Sequence, residues 1–470
     1  MLNNKNIFEQ VPLVEADGNI MLCSKSTRPS FCRLASANGI KFLTLILLLF
    51  TSSSFSQDTL TIEQAIEIAL KNNHSILIAK NEAEITQNNF SPGNAGMLPQ
   101  INLNAGGTWA NNNVRQELSN GNIIAKPNAG STGLNSGVAL NWTLFDGMKM
   151  FTTYEKLNEL NTIGNIELKI QMENTISKVM NQYYLIVKQN QLLSSLQSDL
   201  ELYSERVKIA ETKFNIGSAA KTDWLQAKVD MNEVQSNLLT QQNNLRSYKF
   251  TLNQLLARNA ETPFEVTKNI SISYHPKLEE LKKTVIDSNS ILSFYQRNIR
   301  INELNLKEYQ SSLLPKLALN ANYNFTQSKN QAGFILLNQN LGLNTGLTLS
   351  WNLYNGGNNR REIQNSKLNI QNSKLLFDEN KSVIELSLLK AYLDYNNAKE
   401  ILKLEEENMA LAQENVSIAL ESFRLGSSST LQLKNAQKSF EDAQLRLVNA
   451  RYNAKSLEIE LMRLNGMLVK

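Results

Sequence analysis

The chain carries a long internal repeat. Residues 140–147, with the sequence LNWTLFDG, return as residues 349–356, LSWNLYNG, at an offset of 209 residues. The same offset relates Gly217 to Gly426, together with the phenylalanine three residues before each glycine. Repetition at a fixed spacing limits the fold more than local propensity does, because one structural unit must suit both copies. The sequence therefore predicts two copies of one design.

The prolines indicate where the copies begin and end. Proline is absent between residues 128 and 262 and after Pro315, and in a helix interior it costs about 3 kcal/mol or more. Long helices can therefore run through both gaps, whereas Pro263 and Pro276 mark the segment between them. We assign a first repeat to residues 57–257, a linker to residues 258–275 and a second repeat to residues 276–470.

The first 56 residues have the pattern of a secretory signal. Residues 42–50, FLTLILLLF, form an apolar run that follows Arg33 and Lys41 and is too short to span a bilayer. Ser54 and Ser56 are small residues at the two positions that a signal peptidase inspects. We expect cleavage that removes residues 1–56. A buried helix of a soluble protein is the alternative.

The predicted mature chain contains no cysteine, because Cys23 and Cys32 both precede the apolar run. This excludes a disulfide framework, a thiol nucleophile and a cysteine metal site from the mature protein. The net charge of the whole chain is +4, with acids and bases interspersed. No basic stripe indicates a nucleic-acid partner.

Each copy contains two segments in which apolar and uncharged polar residues alternate. The apolar positions are Ile101, Leu103, Ala105 and Trp109; Val138, Leu140, Trp142 and Leu144; Leu317, Leu319, Ala321, Tyr323 and Phe325; and Leu347, Leu349, Trp351 and Leu353. A period of two residues is typical of a half-buried strand. The sequence predicts four strands, two in each repeat.

These strands fit either a transmembrane barrel or two soluble hairpins. Strands of about ten residues match a tilted membrane crossing, and in such barrels the apolar face meets lipid while the polar face lines a wet lumen. The candidate aromatic girdles are Trp142, Phe145, Trp351 and Tyr354 at one end and Trp109 and Phe325 at the other. Because the smallest membrane barrel has about eight strands, the membrane interpretation requires several chains to share one barrel.

The segments between the paired strands, residues 111–135 and 326–343, are rich in Asn and Gly. This composition predicts exposed loops. The run Phe334-Ile335-Leu336-Leu337 in the second segment is an apolar exception, and nothing else in the sequence accounts for it.

The remaining sequence has the spacing of coiled-coil helices. The seam positions are Val179, Tyr183, Ile186, Leu193, Leu196, Leu200, Tyr203, Val207, Ala210 and Phe214 in the first copy, and Leu388, Tyr392, Tyr395, Leu402, Met409, Ala412, Val416, Ala419 and Phe423 in the second. Their separation of three and four residues predicts long helices. A helix of about 66 residues would be about 100 Å long. Turns are expected at Gly217 and Gly426, with helices restarting at Thr222-Asp223 and Thr430.

The duplicated order of helix, two strands, long helix, Phe-x-x-Gly turn and helix resembles the TolC-like outer-membrane efflux proteins over nearly all of residues 58–467. The most specific motifs are the Leu-Pro strand starts, the Trp-x-Leu-aromatic-Asp/Asn-Gly strand ends and the paired Phe-x-x-Gly turns. The resemblance implies an α+β fold, mostly α, that assembles as a homotrimer. Each chain would give four strands to a twelve-stranded transmembrane β-barrel, below which the long helices form an α-barrel.

The resemblance also implies a function and partners. The protein would be the exit duct of a tripartite efflux or secretion system, embedded in the lipid of the cell outer membrane with a long periplasmic helical domain. A periplasmic adaptor (membrane fusion) protein and an inner-membrane pump would supply the substrate, and no cofactor is implied.

The resemblance assigns roles to residues at and after the two turns. It implies that the adaptor contacts Phe214, Gly217, Ser218, Ala219, Thr222 and Asp223 at the first turn and Phe423, Gly426, Ser427 and Ser428 at the second. Many relatives narrow the pore with acidic residues after the second turn, where this chain has Gln432 and Asn435. In some relatives an Asp matching Asp223 pairs with an Arg, but Ser428 stands at the Arg position here, with Arg424 nearby as a possible substitute.

An enzyme and a periplasmic coiled-coil adaptor or scaffold are the competing classes. His74 and His275 lie far apart without metal-ligand spacing around either, and there is no phosphate-binding loop or nucleophile elbow. No catalytic or metal site is therefore predicted. An adaptor would share the helical hairpin but would lack four alternating strands at duplicated positions, so we predict a channel.

Overall fold

The computed structural model describes residues 59–469. The predicted signal segment, residues 1–56, lies outside the described residues. The described elements are β1 (Thr59–Leu60), α1 (Ile62–Asn72), α2 (His74–Asn89), β2 (Gln100–Glu117), β3 (Ile123–Phe145), α3 (Lys149–Asn215), α4 (Lys221–Leu255), β4 (Glu265–Val266), α5 (Leu278–Ser288), α6 (Ser290–Ser311), β5 (Lys316–Asn330), β6 (Leu337–Ser350), α7 (Asn358–Arg424) and α8 (Thr430–Leu464). Most of these residues are helical. Within residues 59–469 no helix combines the length and apolar character of a membrane span.

α3 and α7 are the longest helices, with 67 residues each. At a rise of 1.5 Å per residue each is about 100 Å long, which confirms the long helices predicted from the seam residues. Each ends at a short turn, after which a helix of 35 residues, α4 or α8, runs back along it.

The helices form a layer of four columns. α3 packs against α4 and α8 toward the turns, and against α2 and α6 toward the strands, while α7 packs against α6 and α8. Since α2 continues the line of α4, and α6 that of α8, the columns follow the order α2/α4, α3, α6/α8, α7. One margin of the layer is therefore α2/α4 and the other is α7.

Two asparagines join the short helices to the ends of the longer ones. Asn73 caps the start of α2 with its side-chain oxygen, and its Nδ2 donates to the carbonyl of Leu255 at 2.7 Å. Asn289 caps α6 in the same way and donates to the carbonyl of Leu464 at 2.8 Å. Each amide thus satisfies backbone groups at the beginning of one helix and the end of another, which otherwise lack partners.

Apolar cores lie at mid-length in both halves, each with a buried tyrosine at its edge. The hydroxyl of Tyr183 donates to the carbonyl of Leu60 at 2.8 Å, and that of Tyr395 donates to the carbonyl of Tyr274 at 2.6 Å. The offset of 209 residues relates Tyr183 to Tyr392, so the tyrosine that bonds to a carbonyl lies three residues further along the helix in the second half. A seam with several tyrosines does not specify which one reaches a carbonyl.

The predicted linker contains ordered structure. Glu265–Val266 pairs in parallel with Thr59–Leu60, and both Phe264 and Val266 are buried against α3 and α4. The segment therefore contributes to the first core, although the boundaries of the repeats and the linker stay predictions.

The four longer strands form one antiparallel sheet in the order β2-β3-β5-β6. The strands are longer than predicted, because residues 111–117 and 123–135 continue the β2–β3 pairing. Likewise, only residues 331–336 separate β5 from β6. The loop prediction for 111–135 and 326–343 was therefore largely wrong. Because Asn and Gly occupy both faces of these segments, they lack the alternation of apolar and polar residues that reveals a strand. The backbone hydrogen bonds between the strands do not depend on that alternation.

One strand is also shorter than predicted. β6 ends at Ser350, the residue opposite Lys316 at the start of β5, so Trp351 and Leu353 lie outside it. Because β5 begins at Lys316, it has no further residue with which Trp351 or Leu353 could pair. By contrast, β3 continues to Phe145, which pairs with Leu317.

Candidate functional site

The sheet has one apolar face and one polar face. A rung of the apolar face crosses all four strands through Leu103, Val138, Tyr323 and Leu343. These four side chains are exposed, Leu103 at 77%. The adjacent rung on the other face consists of Asn102, Ala139, Asn322 and Asn344. The predicted alternation is therefore in register across both hairpins, and nothing in the described chain covers the apolar face.

Both edges of this sheet are open. β2 and β6 are each paired on one side within residues 59–469. Their other sides present unpaired backbone groups over 18 and 14 residues. Such edges pair readily with another strand, and inside a membrane they must do so, because lipid supplies no hydrogen bonds.

The predicted girdle aromatics lie at three levels, because the register places Phe325 beside Ser136 and Ala105, four residues before Trp109 on β2. Trp142, Phe145, Trp351 and Tyr354 are at the end of the sheet next to the helices. Trp142 Nε1 donates to the carbonyl of Met97 at 2.9 Å, and Trp351 Nε1 donates to the carbonyl of Leu313 at 3.0 Å. These bonds tie each strand end to the loop that precedes its partner strand.

Trp109 and Phe325 are nine residues along β2 and β5 from that end. They do not mark the far end of the sheet as predicted, since β2 continues for eight residues beyond Trp109 to Glu117. The whole set stays a prediction as a girdle.

The two turns have the same backbone. Gly217 and Gly426 have φ of +75° and +78°, and each donates from its N–H to the carbonyl of the phenylalanine three residues before it, Phe214 or Phe423. A Cβ at either glycine would meet no atom within 4 Å. The glycines are thus required by the left-handed backbone conformation, which other residues resist, and not by a lack of space.

The helices after the turns start differently. Ser429 caps α8 in a reciprocal arrangement with Gln432, so Thr430 is the first helical residue. α4 begins at Lys221, after Ala220, without a side-chain cap. The predicted restart at Thr222-Asp223 was therefore one residue late, because no capping side chain marks the start.

The structure brings the two turns together. Lys213, near the end of α3, donates to the carbonyl of Phe423 at 2.6 Å and lies over its ring. Phe214 stacks on Trp224 at 5.7 Å between ring centroids. The residues Ser218, Ala219, Thr222, Ser427 and Ser428 remain wholly or partly exposed around this cluster.

Arg424 forms ion pairs within the chain. Its guanidinium bonds to Glu205 at 3.1 Å and to Glu421 at 2.9 Å, and the hydroxyl of Ser428 donates to the side-chain oxygen of Gln432 at 3.0 Å. Within the described chain the guanidinium of Arg424 thus pairs with one acid on α3 and one on α7, and its role as a substitute for the missing Arg stays a prediction.

Gln432 and Asn435 are exposed on one face of α8. The next residue after each, Leu433 and Ala436, is buried. The two amides thus share a surface one helical turn apart, although the oxygen of Gln432 is already engaged by the cap of α8. Their role at a constriction stays a prediction.

Sequence reasoning missed a buried charge network close to the turns. Arg206, which is fully buried, donates to Asp230 at 2.7 Å and to Gln437 at 3.2 Å, and so joins α3, α4 and α8. Lys434 and Gln226 also donate to Asp230. Burial by itself would raise the pKa of the Asp230 carboxyl, but these hydrogen bonds hold it below its usual value. The sequence feature that could have revealed this network is the charged residue Arg206, directly before the seam residue Val207.

A second buried group lies about two turns away on α3. Burial, reinforced by the nearby Glu441, raises the pKa of Asp199 to about 7. Gln444 donates to Asp199 at 3.4 Å. Asp199 borders a cavity of about 350 Å³ between α3, α4 and α8. This carboxyl can therefore hold a proton near neutral pH.

The described residues contain no cluster of His, Cys, Asp and Glu that could hold a metal ion. In this part of the chain the buried charged residue Arg206 joins three helices. The main features of the described chain are a sheet with an uncovered apolar face and an opposite polar face, and a long layer of helices next to it.

Comparison with known proteins points to outer membrane efflux proteins. The chain matches the family model described as outer membrane efflux protein over residues 65–258 and 302–467. It is 20% identical to the outer membrane efflux protein BepC of Brucella suis over 333 residues, covering 71% of this chain and 72% of that protein. It is also 20% identical to the outer membrane protein TolC of Escherichia coli over 383 residues, covering 76% of this chain and 72% of TolC.

Solved structures show the same fold. The outer membrane channel CmeC of Campylobacter jejuni superposes with a TM-score of 0.73 at 14% identity, covering 88% of this chain and 90% of CmeC.

Proposed function

The chain belongs to the outer membrane efflux protein family, and from this premise we propose that it is the exit duct of a tripartite efflux or secretion system. Its place is the outer membrane, with the helical layer in the periplasm. The duct provides a path and carries out no chemical step. A periplasmic adaptor and an inner-membrane pump would deliver the substrate and the energy.

The sheet is the observation that carries this proposal. Its apolar face suits lipid, its amide-rich face suits a wet lumen, and its two open edges need partner strands. Three chains that join β2 of one to β6 of the next would close a barrel of twelve strands. This closure satisfies every edge at once, which a single chain cannot do.

The helical layer supports the same assembly. Within one chain the margins are α2/α4 and α7. Exposed apolar residues recur at intervals of seven on α7, at Leu404, Leu411 and Ile418, and Leu425 directly after the helix continues the row. Apolar residues repeated every seven positions form the seam of a left-handed coiled coil. Side-by-side association of three layers along these margins would produce an α-barrel continuous with the β-barrel.

We also propose that the two halves, residues 57–257 and 276–470, are copies of one design. The matched caps at Asn73 and Asn289, the matched indole bonds of Trp142 and Trp351 and the equal lengths of α3 and α7 support this. A chain of two such units gives six repeats in a trimer, and hence a nearly regular wall.

Membrane fractionation tests the proposed function. We expect the protein in the outer-membrane fraction, resistant to extraction by salt, and migrating as an oligomer that heating dissociates to a monomer. A periplasmic adaptor or scaffold, the alternative function, would be released by salt. The uncovered apolar face of the sheet favours the channel. Recovery of a soluble monomer would contradict the proposal.

The paired turns are the proposed docking surface for the adaptor. Ala219 and Ser428 are partly exposed beside the two glycines, so a bulky residue there would obstruct a partner without forcing the turn. We expect Ala219→Trp and Ser428→Trp to reduce export and crosslinking to the adaptor while the heat-labile trimer persists. Unchanged export and crosslinking would leave the turns with a structural role only.

A further inference from the structure

The loop between β5 and β6, residues 331–336, presents bulky apolar side chains to the solvent. Phe334, Ile335 and Leu336 are exposed at 83%, 56% and 58%. Consecutive exposed apolar residues are unfavourable in water and usually mark a functional surface. The proposed function does not by itself account for them.

Leu337, which follows the loop, has a different environment. It is the first residue of β6 and lies six positions before Leu343 on the same strand. Because side chains alternate along a strand, Leu337 belongs to the apolar face, as Leu343 does. The apolar run 334–337 is therefore divided, and only the loop residues need another explanation.

The β5–β6 loop folds over the polar face of the sheet. Phe334 and Ile335 border a cavity of about 440 Å³ whose other walls include Asn112 and Ala129. Asn112 and Ala129 pair with each other, and each lies an even number of positions along its strand from the polar rung described above. Ala129 is 4% exposed, and it is the one buried residue of β3. The loop therefore lies on the side of the sheet opposite the apolar rung.

Hydrogen bonds and close packing hold the loop in this position. The N–H of Gln331 donates to the carbonyl of Gly130 at 3.0 Å, and its side-chain oxygen accepts from the N–H of Gly130 at 3.1 Å. Lys126 Nζ donates to the carbonyl of Gln331 at 2.9 Å. Gly333 lies so near β2 that a Cβ there would stand 2.9 Å from Oε1 of Gln116. The loop thus crosses β3 and reaches β2.

The loop also lies at a definite end of the sheet. Trp142 and Trp351 mark the end next to the helices, and the β5–β6 loop is at the opposite end. In the proposed assembly the helices are in the periplasm and the polar face lines the lumen, so this end opens to the outside. Elsewhere that face consists largely of amide, hydroxyl and small side chains. Phe334 and Ile335 therefore place apolar bulk over a polar passage.

We propose that the β5–β6 loop narrows the outer mouth of the duct, with Phe334 and Ile335 of each chain extending over the lumen. Apolar side chains in a wet pore reduce its width and disfavour the water inside it. A trimer would carry three such loops around its mouth. This inference rests on the proposed function, since it requires the polar face of the sheet to line the lumen.

Crosslinking tests the position of the loop. Residues 59–469 contain no cysteine, so pairs of introduced cysteines can be bridged by a short bifunctional thiol reagent in the full-length oligomer. Phe334→Cys with Asn112→Cys should be bridged efficiently, because both side chains border the cavity. Phe334→Cys with Asn111→Cys is the matched control, since Asn111 is equally adjacent in sequence but lies on the other face of β2. Mass spectrometry of the digested protein measures both yields, and equal bridging of the two pairs would overturn the placement of the loop.

Labelling from outside the cell tests the narrowing. Asn322→Cys on the polar face reports access through the mouth, and Asn120→Cys in the turn between β2 and β3 reports the outside. Maleimides with polyethylene glycol chains of increasing size are added to intact cells. We expect the largest reagents to label position 120 and to lose most of their labelling at position 322. Phe334→Ser with Ile335→Ser should restore that labelling, whereas Leu337→Ser, in the same run but on the apolar face, should not.

The outcomes separate this inference from the proposed function. Equal access of the largest reagents to position 322 with and without the serine substitutions would overturn the narrowing while leaving the channel intact. Failure of the smallest maleimide to label position 322 in either protein would refute the assignment of the polar face to the lumen, and with it the proposed function. Phe334→Ser alone replaces the double variant if the latter does not form the heat-labile oligomer.

Discussion

α3 and α7 have the same length and end at the same kind of turn, yet they bury different residues. α3 has buried residues along its whole length, from Met150 to Ala210, and these include Glu173, Asp199 and Arg206. The buried residues of α7, all of which is described, include none that is charged. Beyond Ala398 it buries only Val416 and Phe423.

The difference reflects their positions in the layer. α3 lies between two columns, so its polar residues must find partners inside the same chain. α7 lies at a margin, so one side of it has no neighbour in the chain and keeps an exposed leucine row. The sequence offset makes the contrast testable, because Asp199 and Arg206 on α3 correspond to Asn408 and Asn415 on α7. Replacing a residue of α3 with its counterpart on α7 shows whether stability depends on a residue that α3 alone requires or on one that both halves require.

The largest expected effect is the loss of the buried ion pair. Arg206→Asn places the second-half residue in the first half and removes the fully buried partner of Asp230, which keeps only Lys434 and Gln226. We expect the free energy of unfolding to fall by about 3–5 kcal/mol, the usual result of removing one member of a buried pair. Denaturant unfolding of the detergent-purified protein, followed by helical circular dichroism, measures it.

Two matched variants control this prediction. Arg424→Ala removes an exposed ion pair at the other turn and should cost at most about 1 kcal/mol. Adding Asp230→Ser, the counterpart of Ser439, to Arg206→Asn removes both charges and should recover most of the loss. Equal losses in the free energy of unfolding for the Arg206 and Arg424 variants would show that the burial of Arg206 on α3 does not increase its contribution to stability.

The second prediction concerns the strands, where the halves should behave alike. Leu343→Arg puts a charge on the apolar face and should cost about 2–4 kcal/mol near the membrane midplane. Asn320→Arg, on the polar face, should cost much less. Leu103→Arg and Asn104→Arg provide the same contrast in the first half. Assembly of the heat-labile trimer in the outer membrane is the measurement, and equal tolerance on both faces would contradict the assignment of lipid and lumen sides.

Sequence patterns predicted the parts of the fold that repeat. Alternation at Leu103 and Leu349, the seam through Val207 and the glycines at the turns were sufficient, because each reflects a local backbone requirement repeated at a fixed offset. Strand ends were predicted less well. Residues 111–117 pair through backbone groups, and a run of Asn with no apolar face gives no sign of this.

The contacts between columns could not be predicted from one sequence. Arg206 meets Asp230 and Gln437 across 24 and 231 residues, and no local pattern encodes such separations. The pairing of Arg424 with Glu205 could not be predicted for the same reason. Long-range side-chain contacts depend on the order of the columns, which the repeat leaves open.

The third prediction is a pH dependence specific to α3. Burial and Glu441 raise the pKa of Asp199 to about 7, whereas an unfolded Asp has a pKa of about 3.9. Between these values the folded protein holds a proton that the unfolded chain releases, so this group makes stability fall as pH rises from about 4 to 7. Above pH 7 its contribution is constant. Lys438 and Tyr203 are the other titratable groups close to this carboxyl.

Asp199→Asn, which copies Asn408 of the second half, should remove that slope and stabilise the protein by about 1–2 kcal/mol at pH 8. Denaturation midpoints measured from pH 4 to pH 8 test this. Asp442→Asn is the matched control, since it removes a more exposed carboxylate near the same cavity and should leave the slope in place. A wild-type protein whose stability does not change through this window would refute the assignment.

The smallest expected effect is at the candidate constriction. The offset relates Gln432 and Asn435 after the second turn to Asp223 and Gln226 after the first, so the second half has amides where the first has one acid. In the proposed trimer six neutral amides would face the lumen. A ring of carboxylates concentrates the field in a narrow pore and binds multivalent cations, whereas amides carry dipoles without net charge.

We expect a trivalent cation added from the periplasmic side to block single-channel conductance weakly in the wild type and clearly in Gln432→Asp with Asn435→Asp. An acid near the start of α8 also suits the helix dipole, so the change in stability should be only a few tenths of a kcal/mol. Strong block of the wild type that Asp223→Asn abolishes would place the constriction on the first half instead.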